Sequence, residues 1–362
     1  MKPFLQIDHV KYSFSDLPEI ENPISFTDKT ISFCNQWQKG KSSFEIQTSG
    51  STGTPKKILL SRENMIFSAL VTAKALSLEA GQTSLVCLDT SYIAGMMMLV
   101  RSMEVGLNVI AVKPTNNPFE NIEQVVKIDF AAMVPYQLLS VLESPQRNFL
   151  NQLKNILIGG APLDHETKKR LQNLSCDFYE TYGMTETISH IALKRLNGLS
   201  QSEYFHVLPG NTIRQDERGC LCIKAPYLTE EVITNDVVEF KNQEEFLWLG
   251  RWDNVINTGG VKVFPEKSEE RIATIFNELQ IKNRFLVIGL SDQQLGHAVT
   301  LLIEGKLISE QESLLRKNLK QLLYKYEAPR SIKFVDEFAQ TETGKINRSK
   351  TISLYQNQKS QF

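Results

Sequence analysis

The sequence predicts an α/β protein with a large N-terminal domain, in which helices cover a mostly parallel sheet, and a small mobile C-terminal α/β domain. Short apolar runs alternate with helical patterns as far as residue 173, and such alternation is typical of parallel sheets. From Gly219 the pattern changes to short strands and turns, and a second strand–helix unit begins near Asp253. The length of 362 residues exceeds the usual size of one hydrophobic core. We therefore expect a large domain over residues 1–250 and a small domain over 251–362.

Apolar runs and helical spacing place the individual elements. Strands are expected at 43–47, 84–88, 108–112, 130–134, 155–158, 220–224, 237–240, 246–249, 285–289 and 299–303. Helices are expected after Ser61 and at 93–105, 119–126, 136–142, 163–173, 265–279 and 309–324. Ser61 is suited to cap its helix, with Glu63 in the first turn. Residues 1–40 are mixed and rich in turns, and no element is assigned to them.

Composition and charge argue against several classes of function. A formal net charge of −1 gives no basic field for a nucleic-acid backbone. The N-terminus has no apolar signal core, and Asp89, Arg101 and Glu104 interrupt the most apolar stretch, 85–112, so no membrane span is expected. The five cysteines form no CxxC pair and the five histidines show no zinc spacing. We expect reduced thiols in a cytoplasmic protein.

A glycine- and hydroxyl-rich segment after the strand 43–47 is the strongest local signal. Its glycines permit close approach of a ligand to the backbone, and its hydroxyl and amide groups can surround phosphate oxygens. Lysine adds a positive charge. The segment does not fit the Walker A pattern, and a solvated flexible loop is the alternative interpretation. Its candidate phosphate-binding residues are Thr48, Ser49, Gly50, Ser51, Thr52, Gly53 and Lys56.

Two further segments contain candidate ligand-binding turns. Small residues at 159–162 follow the strand 155–158, and ligands bind at such carboxyl ends in open α/β sheets. In the segment 179–187, Tyr182 is suited to stack on a base, Thr185 to bond a phosphate and Glu186 to hold Mg²⁺. An ordinary strand–helix turn and a surface turn are the alternatives.

Two polar segments lie in the C-terminal third. Residues 250–260, Gly-Arg-Trp-Asp-Asn-Val-Ile-Asn-Thr-Gly-Gly, follow Asp236, and residues 341–348 place Lys345 in a Gly/Thr turn. A hairpin with a surface ion pair and a solvated lysine are the alternatives for these segments.

The five segments together, in this order, resemble the adenylate-forming superfamily of acyl- and aryl-CoA synthetases, luciferases and peptide-synthetase adenylation domains. The resemblance runs from about Thr48 to Arg348. It implies a large domain that binds ATP and an acid, and a small domain that rotates between two half-reactions. The family's N-terminal region before the phosphate loop is usually longer, so we expect that region to be shortened here.

The resemblance also implies a role for each matching residue. Residues 48–56 match the phosphate loop, and Gly159, Gly160, Ala161, Tyr182 and Gly183 match the adenine-binding segments. Thr185 contacts phosphate and Glu186 associates with Mg²⁺. Asp236 holds the ribose hydroxyls with Arg251 beside it, Asp253 is the hinge, Gly259 and Gly260 line the thiol channel, and Lys345 bridges carboxylate and α-phosphate. Mild departures are Lys57, Asn235, Asn254 and Ala339, none of which removes a charged catalytic group.

The activity implied is ATP-dependent acid–CoA ligation through an acyl-adenylate, with ATP, Mg²⁺ and coenzyme A. Tyr92 matches a residue that lines the acyl pocket, together with Gly160, and the compact chain with Tyr-Ile-Ala-Gly at 92–95 resembles o-succinylbenzoate–CoA ligases of menaquinone biosynthesis. Arg101 is a candidate anchor for a second carboxylate, although a surface or structural role is favoured, and the methionines at 96–98 are favoured as core. Another aryl- or acyl-CoA ligase, an adenylation enzyme serving a carrier protein and a catalytically silent relative remain alternatives, and homo-oligomerisation is left open.

Overall fold

The alternating pattern of the first half folds as a row of parallel strands with helices against it. The computed structural model describes residues 2–47, 57–123, 125–340 and 346–359. The segment 48–56 and Lys345 therefore lie outside the described residues. The described strands are β1 (Phe4–Ile7), β2 (Val10–Ser13), β3 (Ser43–Gln47), β4 (Lys57–Ser61), β5 (Thr83–Val86), β6 (Asn108–Ala111), β7 (Phe130–Met133), β8 (Asn155–Ile158), β9 (Asp177–Gly183), β10 (His190–Arg195), β11 (Phe205–Val207), β12 (Thr212–Gln215), β13 (Cys220–Lys224), β14 (Val232–Phe240), β15 (Glu245–Arg251), β16 (Ile256–Thr258), β17 (Val261–Val263), β18 (Phe285–Asp292), β19 (Gly296–Glu304) and β20 (Ser331–Val335). The α-helices are α1 (Phe26–Gln38), α2 (Arg62–Ala75), α3 (Ile93–Val105), α4 (Pro135–Leu142), α5 (His165–Leu171), α6 (Pro265–Glu278), α7 (Ser309–Leu322) and α8 (Arg348–Lys359).

One large mixed sheet organises the first 250 residues. Its strand order is β12-β13-β14-β15-β11-β10-β9-β8-β7-β5-β6-β1-β2. The neighbours from β9 to β1 pair in parallel, which confirms the expected parallel arrangement for that part. Beyond β9 the strands pair antiparallel, because short turns return the chain directly and leave no room for a crossover helix.

A separate sheet with its own core follows residue 255. Its strands run β17-β16-β19-β18, and β20 pairs in parallel with β19. Helices α6 and α7 supply Ile272, Phe276 and Leu315 to a buried cluster with strand residues such as Val287 and Leu301. The division of the chain at residues 250 and 251 stays a prediction.

Two local expectations differ from the structure. The sequence 26–38, left unassigned, forms α1, whose Ser25 side chain accepts from the Asp28 N–H while Asp28 accepts from the Ser25 N–H. The helix expected at 119–126 is wrong, because its described residues form turns. Phe119 is nonetheless buried and stacks on Phe149 at 5.0 Å. The apolar spacing in 119–126 therefore reflects the burial of side chains beneath turns.

Several other expectations concern side chains that the structure describes. Met96, Met97 and Met98 are buried in the core between α2, α3 and the sheet, as expected. The five cysteines are free and buried. Among the described residues, no helix is long and apolar enough to cross a membrane, and no group of three or more metal-binding side chains is assembled.

Gly95, in the first turn of α3, tests how tightly this helix packs on the preceding loop. A Cβ atom there would lie 2.4 Å from the carbonyl oxygen of Asp89. Gly95→Ala should lower the free energy of unfolding by about 1–3 kcal/mol, because backbone atoms must shift. Urea unfolding measures the loss. The exposed neighbour provides a control: Ala94→Ser should change stability by no more than about 0.5 kcal/mol, and an equal effect of both changes would contradict the packing argument.

Candidate active site

The predicted site residues of the large sheet gather at the carboxyl ends of β8 and β9, which are adjacent parallel strands. Gly159, Gly160 and Ala161 follow β8 directly, and Tyr182 and Gly183 end β9. Tyr92, which precedes α3, follows β5 on the same edge and is half exposed. The topology therefore brings these predicted segments to one edge of the sheet.

Close backbone packing explains the glycine at the end of β9. A Cβ atom on Gly183 would lie 2.4 Å from the Ser189 carbonyl oxygen and from the His190 Cα. The chain therefore returns against β9 at van der Waals contact, and only glycine leaves room for it. This contact fixes the turn that carries Thr185 and Glu186.

The turn itself is a short 3₁₀ helix, Thr185–Thr187, that ends in a strained residue. The Met184 N–H donates to Thr187 Oγ1 at 3.0 Å. Ile188 has φ 67° and ψ −47° and is buried, and the Ser189 N–H donates to the Thr187 carbonyl at 2.7 Å. This is the strained form of γ-turn, which a β-branched residue adopts only when its surroundings impose it. Glu186 is left exposed at the top of the turn.

Asp236 lies beside Tyr182 in a compact polar group. It pairs across the ladder with Arg251, whose Nε is 3.9 Å from Asp236 Oδ1. The Tyr182 hydroxyl donates to Asp236 Oδ2 at 2.8 Å and the Trp248 indole donates to Oδ1 at 3.2 Å. Burial, followed by the charge of Asp236, raises the pKa of Tyr182, so the phenol stays protonated and donates. The structure thus brings together Tyr182, Asp236 and Arg251.

The Tyr182 ring, expected to stack on a base, has aromatic neighbours within the protein. It meets Phe246 edge-on, with centroids 5.1 Å apart and planes at 81°. Phe205 lies 5.7 Å away. These contacts hold the hydroxyl against Asp236. The base-stacking role stays a prediction.

Asp253, the predicted hinge, is tied back to the large sheet. Arg251 Nη2 lies 3.1 Å from Asp253 Oδ2, and the Asn235 amide donates to the same oxygen at 3.2 Å. Asn235 accepts in turn from Arg218 at 2.8 Å. The asparagine that departs from the family pattern therefore has a structural use, since a glycine could not reach Asp253.

Arg101 is the functional candidate whose environment the sequence did not reveal. It is only 2% exposed, so a surface role is wrong. Its Nη2 donates to Ser189 Oγ at 2.6 Å, and its Nε has no hydrogen-bond partner among the described residues. Burial lowers the pKa of Arg101 to about 9, which leaves the guanidinium charged at neutral pH. A buried cation with a free donor is suited to binding an anionic group.

The proton positions around Arg101 follow from what each group can donate. A guanidinium only donates, so the Ser189 hydroxyl accepts from it and is free to donate to His190 Nδ1, 3.3 Å away. His190 Nε2 then carries the proton and donates to Thr72 Oγ1 at 2.9 Å. Burial and then the charge of Arg101 hold the pKa of His190 well below its ordinary value near 6.5. Arg101, Ser189 and neutral His190 form one chain of hydrogen bonds.

Two predicted parts of the site belong to the second sheet or to its surroundings. Gly259 and Gly260 form the exposed turn between β16 and β17, with φ of 58° and 83°, conformations that glycine adopts readily. Gln340 and Ile346, which flank the segment that contains Lys345, pair with each other in an isolated bridge. At the other end of the chain, Gln47 and Lys57 pair across the ends of 48–56.

Known proteins match this chain over most of its length. Residues 23–230 match the family model described as AMP-binding enzyme. A 2-succinylbenzoate–CoA ligase from Listeria innocua is 23% identical over 352 residues, covering 90% of this chain and 72% of the relative. A second, from Geobacillus kaustophilus, is 26% identical and covers 84% and 67%.

Solved structures are also similar to this chain. An acyl-CoA synthetase (AMP-forming)/AMP-acid ligase II-like protein from Dyadobacter fermentans is 40% identical, with 92% of this chain and 96% of that chain covered and a TM-score of 0.62. The o-succinylbenzoate CoA synthetase from Bacillus subtilis, solved with its acyl-adenylate intermediate, is 21% identical and covers 84% and 68%, with a TM-score of 0.71. With its fold, its site and the family match over more than half of its length, the chain belongs to the AMP-binding enzyme family.

Proposed function

We propose that this protein is an AMP-forming acid–CoA ligase that activates o-succinylbenzoate with ATP and transfers the acyl group to coenzyme A. The observation that carries the proposal is the meeting of Asp236, Tyr182 and Arg251 beside the ends of β8 and β9. A nucleotide there would place its ribose at Asp236 and its phosphates towards Thr185 and Glu186. Relatives named 2-succinylbenzoate–CoA ligase support the choice of acid.

The first step needs no general base, because the attacking carboxylate is already ionised. Its attack on the α-phosphate joins acid to AMP and releases pyrophosphate, and negative charge gathers on phosphate oxygens. Positioned cations and donors are the effective catalysts for such a step. In the proposal Lys345 and the hydroxyl and amide groups of 48–56 supply them, and Thr185 adds a hydroxyl. The thiol of coenzyme A then attacks the carbonyl and AMP leaves.

Glu186 is suited to hold Mg²⁺ in this scheme. Its carboxylate is exposed at the top of the turn, and Mg²⁺ is commonly held by one or two carboxylates together with substrate phosphates. The ion would offset the negative charge of the phosphates. A separate protein cage for it is not assembled among the described residues.

Arg101 supplies a reason for a diacid substrate. One carboxylate must react with ATP, and a second would meet the free N–H of the buried guanidinium. Tyr92 and Gly160 would line the acyl pocket. We further propose that the unit beginning at residue 251 turns about Asp253 between the two steps, which brings Gly259 and Gly260 to the thiol channel. The buried free thiols fit a reducing, cytoplasmic compartment.

Product analysis tests the choice of acid, and an analogue that lacks one carboxylate provides the comparison. Incubation with o-succinylbenzoate, MgATP and coenzyme A should yield o-succinylbenzoyl-CoA by mass spectrometry, with AMP and pyrophosphate. Arg101→Met should lower kcat/KM for this diacid by about 10- to 100-fold, since a hydrogen bond to a charged group is lost. An analogue that lacks the carboxylate on the ring should be used equally by both proteins. Arg101→Lys retains the charge and controls for folding; an equal loss with both acids would contradict the anchor.

The role of Lys345 is tested by separating the half-reactions. Lys345→Ala should abolish acyl-adenylate formation, measured as pyrophosphate exchange, because its charge is needed only while the α-phosphate is attacked. Thioester formation from supplied acyl-adenylate should be preserved. Lys350→Ala, an exposed lysine in α8, is the matched control and should change neither step. Unchanged exchange in Lys345→Ala would refute the assignment.

The neutral state of His190 makes stability depend on pH. Because its folded pKa lies below the unfolded value near 6.5, only the unfolded chain takes up this proton as the pH falls below 6.5. The contribution of neutral His190 to the free energy of unfolding is therefore fully present above pH 6.5. It decreases by up to about 1.4 kcal/mol per pH unit as the pH falls towards the folded pKa. In urea unfolding between pH 5 and 7.5, the free energy of unfolding of the wild type should approach that of His190→Asn as the pH falls. A constant difference in the free energy of unfolding between the wild type and His190→Asn across this pH range would count against a neutral buried imidazole.

A further inference from the structure

We propose that Tyr182 and Trp248 are positioning residues that orient the Asp236 carboxylate, leaving one acceptor position on each oxygen for the two ribose hydroxyls of the nucleotide. The pair would thereby set the preference for ribonucleotides over deoxyribonucleotides. This inference rests on the proposed binding of a nucleotide ribose at Asp236. Trp248 is assigned a role for which the sequence motifs give no indication.

The backbone of Asp236 is fixed before any ligand binds. Asp236 is only 8% exposed and lies within β14, opposite Arg251. Its N–H donates to Thr234 Oγ1 at 3.0 Å. The Thr234 hydroxyl donates in turn to the Leu221 carbonyl of the next strand at 2.8 Å. Only rotation of the side chain remains to be controlled.

Two donors of different strands control that rotation. The Tyr182 hydroxyl, at the end of β9, donates to Oδ2, and the Trp248 indole, on β15, donates to Oδ1. An indole has one donor and no acceptor, so its bond to Oδ1 has a single sense. The edge-on contact with Phe246 holds the tyrosine ring in place. One donor on each oxygen fixes the plane of the carboxylate.

A count of acceptor positions gives the consequence for a ligand. An ionised carboxylate offers about four lone-pair positions, of which Tyr182 and Trp248 use one on each oxygen. Arg251 Nε, at 3.9 Å from Oδ1, is too distant for a hydrogen bond and adds only charge. One position on each oxygen remains, which matches a neighbouring pair of hydroxyl donors such as the ribose 2′ and 3′ groups.

Nucleotide binding tests the inference without any acid or coenzyme A. Calorimetry with ATP, 2′-deoxyATP and 3′-deoxyATP gives the ratio of each deoxynucleotide Kd to that of ATP. Tyr182→Phe and Trp248→Phe keep the rings and remove only the donors. Each should weaken ATP binding by about 3- to 10-fold, in line with one lost charge-assisted bond, and change deoxynucleotide binding less. The ratios should therefore fall towards one.

A matched variant separates positioning from a purely structural role. Tyr227 is also buried, and its hydroxyl donates to Asn211 Oδ1 at 3.1 Å, so Tyr227→Phe should leave the ratios unchanged. Lower stability of Tyr182→Phe and Trp248→Phe with wild-type ratios would overturn the inference. Asp236→Asn distinguishes ribose binding by Asp236 itself from the positioning of its carboxylate by Tyr182 and Trp248. If it abolishes discrimination while both donor variants retain it, Asp236 binds ribose without their help; if the wild type does not bind ATP, the proposed function fails as well.

Discussion

At the end of β9, the backbone of Ser189 and His190 lies so close to Gly183 that this position has no space for a side chain. The turn between Gly183 and Ser189 must reverse the chain within a few residues, and it does so with a strained positive φ at Ile188. That reversal also ends the parallel part of the sheet, since β10 pairs antiparallel with β9. The exposed Glu186, the Ser189 hydroxyl and the Tyr182 hydroxyl take their places from this one contact.

Opposite charges lie on the two sides of this turn. Asp236 accepts from Tyr182, while Arg101 donates to Ser189. Each charge is buried, so each depends on hydrogen bonds rather than on solvent. The difference is in what remains free: the carboxylate keeps acceptor positions and the guanidinium keeps a donor. Under the proposed function, a ligand that carries hydroxyl groups at one end and a carboxylate at the other would use both groups, as an acyl-adenylate of a diacid does.

The sequence predicted the parts of this arrangement that depend on local pattern. The strand 155–158, the helix 93–105 and the pairing of Asp236 with Arg251 follow from apolar runs, turn residues and family motifs. α1 could also have been found, because Ser25 and Asp28 form a capping box.

Other parts depend on tertiary contacts that no local pattern contains. The burial of Arg101 results from packing of α3 against the β9–β10 turn, and the contact of Trp248 with Asp236 depends on the register and bulge between β14 and β15. The false helix at 119–126 shows the converse, since apolar spacing there arises from side chains buried beneath turns.

The polar contacts that link the two sheets are partly exposed, near Asp253 as well as farther along the chain, and this suits the proposed rotation. Near residue 250, Asn254 donates to Glu266 at 2.5 Å, and Asp253 is held by Asn235 and Arg251. Farther out, α5 meets α6 through the pair Lys168–Glu270 at 2.9 Å, in which the glutamate is 42% exposed. A pair of this exposure contributes about 0–1 kcal/mol, and burial together with Lys194 and Lys168 lowers the pKa of Lys267 alongside it. The mutual repulsion of these lysines offsets part of the attraction, so the proposed turning about Asp253 would break contacts of small net free energy.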